Sequence, residues 1–320
     1  MTSTDQTDIQ IAVLIPCYNE ATTIGKVVAD FRAALPNALI YVYDNNSTDG
    51  TEEEAQAAGA IVRNEVLQGK GNVVRRMFAD VEADIYVLVD GDDTYDAASV
   101  PMLIEMLIVG HLDMVNAARE TQSAAAYRRG HRFGNALLTG MVALIFGNRF
   151  HDMLSGYRVL SRRFVKSFPA LASGFEIETE LTIHALHLRM PVREVQTTYK
   201  ERPLGSMSKL RSFRDGLRIL KTILVLVKEE RPLPFFSTIF VLLAVTAIIL
   251  AIPIVITFIE TGLVPRFPTA ILATGLMLLA FLSFACGLIL ETVTRGRLES
   301  KRMRYLSIPV TRSTAKRGCK

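Results

Sequence analysis

The sequence predicts an α/β domain in its first 203 residues, followed by two helices that could cross a membrane. Three observations lead to this prediction. Short apolar stretches alternate with helical patterns from residue 11 onwards, and polar clusters follow several of those stretches. Two long stretches without a charged residue then lie between positions 235 and 290. Apolar residues make up 50% of the 320-residue chain, and they are concentrated in this C-terminal part.

Four apolar strands and the helices between them define the predicted domain. We predict strands over residues 11–15, 39–43, 60–63 and 85–89, and helices over residues 22–35, 51–58 and 72–80. Thr51 and Glu54 have the spacing of a capping box at the start of the second helix, and Gly59 is placed to end it. Continuously apolar strands that alternate with helices are typical of a parallel, doubly wound sheet.

Three of the predicted strands are each followed by a polar cluster. These clusters are residues 17–20 (CYNE), 44–50 (DNNSTDG) and 90–96 (DGDDTYD). In doubly wound sheets a ligand binds outside the carboxyl ends of the strands, where such clusters come together. The sequence therefore predicts a ligand site at this edge of the sheet.

The acidic cluster after the fourth strand is the best candidate for a metal site. Asp90 and Asp92 lie so close in sequence that their carboxylates repel each other unless a cation neutralises them. Oxygen ligands of this kind suit Mg²⁺ or Mn²⁺, which bind one or two carboxylates together with substrate phosphates. Lys70, between two glycines, could approach a phosphate. The sequence contains neither a Walker A motif nor a strand-linked G-x-G-x-x-G motif, so P-loop and NAD-binding functions find no support.

Two uncharged stretches, residues 235–259 and 269–290, are each long enough for a helix to cross a bilayer. The connection between them is short, so they are predicted to form a hairpin. Lys and Arg residues gather before the first stretch and after the second, which by the positive-inside rule puts the N-terminal domain and both termini in the cytoplasm. Three widely spaced cysteines, with no disulfide or zinc pattern, fit that reducing compartment.

The region before the first stretch is strongly basic. Residues 207–227 have apolar residues at helical spacing with Lys and Arg between them, which predicts an interfacial helix in the head-group layer. An amphipathic helix packed on the soluble domain is the alternative. We predict four regions: the N-terminal domain at residues 1–203, a juxtamembrane helix region at 204–232, two transmembrane helices within 233–294 and a basic cytoplasmic tail at 295–320. The basic regions favour anionic lipid head groups over nucleic acid as partners, because they flank the apolar stretches.

Several motifs, taken in order, resemble those of a known family. The segments VLIPCYNE, VYDNNSTDGT, GKGN and VLVDGDDTYD are similar to those of the inverting family 2 glycosyltransferases of GT-A fold. Three later segments, at residues 151–164, 174–181 and 199–209, resemble its polyprenyl-phosphate branch, which includes the dolichyl-phosphate mannose synthases and the bactoprenol glucosyltransferases. The two C-terminal apolar stretches are most similar to the bactoprenol glucosyltransferases.

The resemblance implies a donor site for a nucleotide-sugar. It implies that the nucleoside pocket is lined by Pro16, Tyr18 and Glu20, that Asp44 meets the base, and that Lys70 lies near phosphate. Asp90 and Asp92 match the D-x-D pair that holds Mg²⁺ or Mn²⁺, with Asp92 the principal ligand. Some relatives have Gln where this chain has Thr94, which leaves the second metal contact open.

The resemblance also implies an acceptor site. Arg119 and Arg129 fall where the family has arginines that bind the acceptor phosphate, and Arg128 or Arg132 could take that role instead. The D-x-x-S-G-Y-R segment of the branch is matched by Asp152, Ser155, Gly156 and Arg158, and the basic stretch before the membrane by Arg202 and Lys209. The catalytic residues on this reading are Asp92, Asp152 and Arg129.

The implied reaction is transfer of a hexose, with inversion, from a nucleotide-sugar to undecaprenyl or dolichyl phosphate. UDP-hexose is favoured as donor by the two-helix architecture, GDP-mannose is possible, and the product would serve modification of cell-envelope glycans. A phosphate acceptor is already ionised near neutral pH, so a general base is dispensable, although Asp152 could orient groups or act as a base. The protein is expected in the cell membrane, as a monomer or a homo-oligomer.

Two other functions remain open at this stage. A processive polysaccharide synthase of the same superfamily would carry a Q-x-x-R-W motif, and the chain contains no tryptophan. A non-catalytic membrane scaffold could keep the fold and lose the reaction, but the intact DGDD and SGYR segments argue against it.

Overall fold

The structure is a computed structural model, and it describes residues 9–120, 150–174, 176–200 and 231–309 together with positions 140, 225, 228 and 229. The chain divides into two compact units. One unit comprises Met1–Gly216 and Lys301–Lys320, and the other comprises Leu217–Ser300. The predicted interfacial helix at residues 207–227 lies outside the described residues, apart from Val225.

The first unit contains a seven-stranded sheet in the order β3-β2-β1-β4-β6-β5-β7. Its strands are β1 Ile11–Cys17, β2 Leu39–Asp44, β3 Ile61–Asn64, β4 Ile85–Leu88, β5 Met114–Glu120, β6 Arg158–Ser161 and β7 Val192–Thr198. Its helices are α1 Ala21–Ala34, α2 Thr51–Ala57, α3 Lys70–Asp80, α4 Val100–Val109, α5 Arg162–Ser167 and α6 Ile177–His187.

The predicted first half of the sheet is confirmed. β1 pairs in parallel with β2 and β4, and β2 pairs in parallel with β3. Residues Ala12–Ile15 of β1 and all of β4 are buried, because helices cover both faces of the sheet at its centre.

The second half of the sheet is mixed, so a purely parallel sheet was the wrong prediction for this chain. β6 runs antiparallel to both β4 and β5, with Arg158 opposite Leu88. This direction brings the segment that precedes β6 to the same edge as the segment that follows β4. The antiparallel strand therefore carries the SGYR motif to the carboxyl end of β4, beside the DGDD motif.

The predicted capping box at Thr51 is also wrong. Gly50 is the N-cap residue of α2, at a φ of +87°, and Thr51 is already the first helical residue. The Thr51 hydroxyl donates to Asp49 Oδ1 and accepts a hydrogen bond from the Glu20 backbone N–H at 2.8 Å. The hydroxyl thus ties the loop after β2 to the loop after β1.

The second unit contains the predicted pair of apolar helices, except for the end of the second helix from Lys301 onwards, which belongs to the first unit. Helix α7 spans Pro232–Thr261 and helix α8 spans Phe267–Leu306, and both are long and apolar enough to cross a membrane. They pack together: Ser283 Oγ donates to the Phe236 carbonyl at 3.2 Å, and the Phe240 ring lies 5.5 Å from that of Phe281. Helix α8 continues well beyond the predicted apolar stretch that ends at residue 290.

Candidate active site

Loops from the three predicted polar clusters meet at the carboxyl edge of the sheet. The Asn19 backbone N–H donates to Ser47 Oγ at 2.8 Å, and Thr48 N–H donates back to Asn19 Oδ1 at 2.9 Å. Thr23 Oγ1, at the start of α1, donates to the Gly91 carbonyl at 2.7 Å. The three loops therefore form one connected surface, as the strand pattern predicts.

Asp44 ends β2 at one side of this surface. It is buried, and its Oδ2 accepts a hydrogen bond from the Ser47 backbone N–H at 2.8 Å. Its Oδ1 is buried and has no hydrogen-bond partner among the described residues. A buried carboxylate oxygen that accepts no hydrogen bond lowers the stability of the fold. This oxygen is therefore a candidate acceptor for an N–H group of a ligand. Of the neighbouring residues, Pro16 is buried within β1 and Tyr18 is 37% exposed.

The three acids of the DGDD motif have different partners. Asp90 Oδ1 accepts from Lys70 Nζ at 2.5 Å, and Asp92 Oδ1 accepts from the Thr94 hydroxyl at 2.6 Å. Asp93, whose φ of +55° is left-handed, pairs with Lys26 on α1 at 2.8 Å. The motif therefore directs Asp93 towards α1 and leaves Asp90 and Asp92 as the candidate metal ligands.

These two carboxylates are oxygen ligands of the kind that Mg²⁺ and Mn²⁺ prefer. Within the described part of the chain, no group of three or more His, Cys, Asp or Glu side chains is placed to hold a metal ion. A divalent cation here would thus take one or two carboxylates and complete its shell with water and phosphate oxygens, which is the usual arrangement for Mg²⁺ at nucleotide sites. Thr94 is fully buried, and because its hydroxyl donates to Asp92 Oδ1 it orients that carboxylate.

Lys70 begins α3 and joins three parts of the site. Its ammonium contacts Asp90 Oδ1 and Glu178 Oε1, each at 2.5 Å. Burial alone would lower the pKa of Lys70, but the charges of Asp90 and Glu178 outweigh burial and raise it. Burial raises the pKa of Glu178, although Lys70 counteracts this. Lys70 is thus held as a buried cation beside the candidate metal ligand.

The SGYR segment packs directly on the DGDD motif. The Gly156 backbone N–H donates to the Tyr95 hydroxyl at 2.8 Å, and any side chain at Gly156 would collide with the Asp90 carboxylate. The Tyr95 ring contacts that of Tyr199, whose centroid is 5.4 Å away. The Arg119 guanidinium lies 5.6 Å from the same Tyr199 ring. A continuous set of contacts therefore links Asp90 to Arg119.

Arg119 and Asp152 form an ion pair beyond these rings, with side chains that are 16% and 10% exposed. Arg119 Nε lies 2.7 Å from Asp152 Oδ2, and Nη2 lies 2.8 Å from Oδ1. Burial would raise the pKa of Asp152, but the hydrogen bonds and the charge of Arg119 outweigh burial and lower it. Of the two roles left open for Asp152, the geometry favours orienting Arg119 over acting as a base.

Two other residues of the SGYR segment face inwards. Arg158 is fully buried, and its guanidinium donates to the carbonyls of Ser155, Met153 and Glu178 and to the Thr182 hydroxyl. Ser155, also fully buried, donates to the Ala117 carbonyl. In the described structure both side chains therefore hold the loop in shape through hydrogen bonds within the protein, and a ligand contact by either of them stays a prediction of the resemblance.

Four predicted site residues, Arg129, Arg132, Arg202 and Lys209, lie outside the described residues. The structure also adds residues that the sequence analysis did not single out. Glu194 on β7 accepts hydrogen bonds from the His151 and Asp152 backbone N–H groups at 2.9 and 3.1 Å, which fixes the loop before the SGYR segment. Nothing in the local sequence marks Glu194, because its role depends on the pairing of β7 with β5.

The parallel half-sheet, the acidic motif at its carboxyl edge and the antiparallel strand beside it define a nucleotide-sugar-binding domain of GT-A type. The sequence profile described as Glycosyl transferase family 2 matches residues 12–168. The chain is 35% identical over 231 residues to the glycosyltransferase AglJ of Haloferax volcanii, covering 72% of this chain and 76% of that protein. The chain therefore belongs to glycosyltransferase family 2.

Other relatives agree with this assignment. A dolichyl-phosphate hexose transferase of Haloferax volcanii is 29% identical over 228 residues, which cover 71% of this chain and 98% of that protein. Among solved structures, glucosyl-3-phosphoglycerate synthase of Mycobacterium tuberculosis in complex with Mn²⁺, UDP-glucose and phosphoglyceric acid has the same fold. Its TM-score is 0.55 at 24% identity, covering 69% of this chain and 80% of that one.

Proposed function

We propose that this glycosyltransferase moves a hexose from a nucleotide-sugar to a polyprenyl phosphate, with inversion, at the cytoplasmic face of the cell membrane. The observation that carries the proposal is the pairing of Arg119 with Asp152, which contacts through Tyr199 and Tyr95 link to the DGDD motif. An arginine held by a carboxylate is a rigid, oriented cation suited to a phosphate. A carboxylate held by an arginine is a poor base, which suits an acceptor that is already ionised.

The donor half of the proposal rests on Asp44, Asp90 and Asp92. The buried Oδ1 of Asp44 would accept a hydrogen bond from the nucleobase, and the DGDD carboxylates would hold Mg²⁺ or Mn²⁺ against the diphosphate. The solved relative bound to Mn²⁺ and UDP-glucose supports a divalent ion and favours UDP-hexose as donor, with GDP-mannose as the alternative. Bound there, the metal would neutralise the leaving nucleoside diphosphate.

The acceptor half rests on the chemistry of a phosphate monoester. Its second pKa is about 6, so near neutral pH one of its oxygens is a ready nucleophile. That oxygen forms the new bond to the anomeric carbon as the bond to the nucleoside diphosphate breaks on the opposite face. No proton has to be removed, so the site has to supply orientation and positive charge. Arg119 would provide one cation, and Arg129, Arg132, Arg202 and Lys209 are proposed to provide others.

The proposed acceptor lipid fits the proposed location. Helices α7 and α8 would anchor the enzyme, and the excess of Lys and Arg at residues 295–320 favours the cytoplasmic side for both ends of the hairpin. Relatives named for dolichyl-phosphate or dolichol-phosphate sugar transfer support a polyprenyl-phosphate acceptor. We also propose the domain division predicted above, with residues 1–203 as the catalytic domain.

The proposal is tested by assaying the purified full chain in detergent. A panel of labelled UDP- and GDP-sugars is offered with undecaprenyl phosphate, in Mn²⁺, in Mg²⁺ and in EDTA. We expect a lipid-extractable monohexosyl product from one donor, lost in EDTA and in D92N. A growing polysaccharide would instead indicate a processive synthase, and no product from any donor would indicate the scaffold function.

A further inference from the structure

Glu178 is a buried acid for which the proposed reaction gives no role. It lies in the first turn of α6, and its side chain is 6% exposed. One carboxylate oxygen contacts the Lys70 ammonium, and the other, Oε2, is buried with no hydrogen-bond partner in the part of the chain that the structure describes. Arg158 donates to the Glu178 carbonyl at 2.9 Å, so the backbone of Glu178 is tied to the SGYR segment.

Lys70 is shared between two carboxylates of different kinds. Asp90 is 27% exposed at its side chain and faces the proposed donor site, whereas Glu178 lies behind it. Two carboxylates around one ammonium leave a net negative charge in this group, which the buried Arg158 guanidinium beside Glu178 offsets in part and a further cation at Asp90 would offset more. A divalent ion at Asp90 would supply that cation, and it would compete with Lys70 for the Asp90 carboxylate.

We propose that Lys70 is a resident counter-cation that holds Asp90 in the donor-free enzyme and exchanges Asp90 for a donor phosphate when the metal–donor complex binds. Glu178 is the positioning residue that keeps the ammonium in the site during the exchange. This inference rests on the proposed function, because it assigns Asp90 to the metal. The exchange moves no proton and makes no covalent bond: one ion pair is replaced by another.

A purely structural salt bridge makes a different prediction. If Lys70 only stabilises the fold, its loss weakens the binding of every ligand. If Lys70 competes with the metal and assists the donor, K70M changes the two affinities in opposite directions. Without nucleotide, Mn²⁺ binds more tightly because a competing positive charge is gone, and with Mn²⁺ present the nucleoside diphosphate binds more weakly because a phosphate contact is lost.

The experiment uses the full chain in detergent. Mn²⁺ is titrated without nucleotide and followed by electron paramagnetic resonance, and UDP or GDP is then titrated calorimetrically at saturating Mn²⁺. We expect K70M to tighten Mn²⁺ binding by about tenfold and to weaken nucleotide binding by about tenfold. The matched control is K26M, since Lys26 pairs with Asp93 of the same motif at 2.8 Å but is 54% exposed, and we expect less than about a twofold change.

E178Q provides a second, independent test should K70M fail to fold. Among the described residues, Asp90 is then the remaining carboxylate that pairs with Lys70, and Lys70 binds it more tightly. Because Mn²⁺ has to compete with this stronger ion pair, we expect Mn²⁺ alone to bind at least about threefold more weakly. Weakening of both ligands by K70M, or no change in either variant, would overturn the inference, as would wild-type protein that binds no Mn²⁺. Neither titration contains the acceptor lipid. If K70M shifts the two affinities in opposite directions but the wild-type protein transfers no sugar to the lipid, only the proposed acceptor is contradicted.

Discussion

The Arg119 guanidinium donates two parallel hydrogen bonds to the Asp152 carboxylate, from Nε to Oδ2 at 2.7 Å and from Nη2 to Oδ1 at 2.8 Å. The Arg119 backbone N–H adds a third to Oδ2 at 3.1 Å. Both carboxylate oxygens are therefore engaged by one residue, and the pKa of Asp152 is lowered by it despite burial. Because an acid in this state has little tendency to take a proton, the pair is better suited to aim Arg119 than to activate a nucleophile.

D152N tests this division of roles. We expect a higher KM for the lipid acceptor, because Arg119 loses its orienting charge, and a fall in kcat of less than about a hundredfold. The acidic limb of the pH–rate profile should keep its wild-type midpoint. R119K, which loses the planar fork, should mainly raise the same KM. A fall in kcat of about 10³-fold or more in D152N, with loss of the acidic limb, would identify Asp152 as the general base instead.

Thr94 should control metal affinity although it is not proposed as a ligand. Its hydroxyl donates to Asp92 Oδ1 at 2.6 Å from a fully buried position. T94V keeps the shape and removes the hydrogen bond, so we expect Mn²⁺ to bind about tenfold more weakly in the presence of nucleotide. T94S, which keeps the hydroxyl, should bind Mn²⁺ within about twofold of wild type. Equal affinity in T94V and wild type would show that Asp92 needs no such support.

Arg158 should contribute mainly to stability. R158M leaves the buried carbonyls of Ser155, Met153 and Glu178 without this donor, so we expect the free energy of unfolding to fall by roughly 3–5 kcal/mol. The measurement is denaturant unfolding of the full chain in detergent, followed through a signal from the N-terminal domain. R162M is the matched control: Arg162 pairs with Glu82 at the surface and should change stability by less than about 1 kcal/mol. A stable R158M with weakened donor binding would instead favour ligand contact.

His184 should make the domain less stable in mild acid. Its ring contacts Phe164 and Phe168, and burial lowers its pKa from 6.5 to about 3. Below pH 6.5 His184 becomes protonated in the unfolded chain, whereas in the folded protein it stays neutral down to about pH 3. Stability therefore falls with decreasing pH across this window, by up to about 1.4 kcal/mol per pH unit.

H184Q removes this titration and keeps a polar group facing Ser167 Oγ, which lies 3.1 Å from His184 Nε2. We expect a shallower dependence of melting temperature on pH between about 6.5 and 4 than in wild type. The control is H111N at an exposed turn with a φ of +48°, which Asn tolerates and which should leave the pH dependence unchanged. Identical slopes in H184Q and wild type would contradict the assignment.

The sequence was sufficient to predict the half of the domain that repeats strand and helix. The edge between β1, β2 and β4 was predictable because apolar runs end in polar clusters. The antiparallel direction of β6 was not, since apolar periodicity carries no information on strand direction. The capping box at Thr51 failed because Gly50 reaches the left-handed conformation and takes the N-cap position itself.

The candidate site shows the same limit. Asp90 and Asp92 could be singled out because they follow a buried strand. Glu178 contacts Lys70, 108 residues away in the chain, and Glu194 contacts Asp152, 42 residues away. The roles of both glutamates could therefore be recognised only in the folded structure. For Arg158 and Ser155, motif similarity alone could not separate ligand contact from support of the loop.

The most direct test of the proposed reaction is whether the acceptor needs a phosphate. Labelled hexose transfer by the full chain is compared between undecaprenyl phosphate and undecaprenol, which has the same chain and a hydroxyl in place of the phosphate. We expect transfer to the phosphate and none to the alcohol, because the proposed reaction uses no base to activate a hydroxyl. Comparable transfer to undecaprenol, or label on neither lipid with donor binding intact, would contradict it.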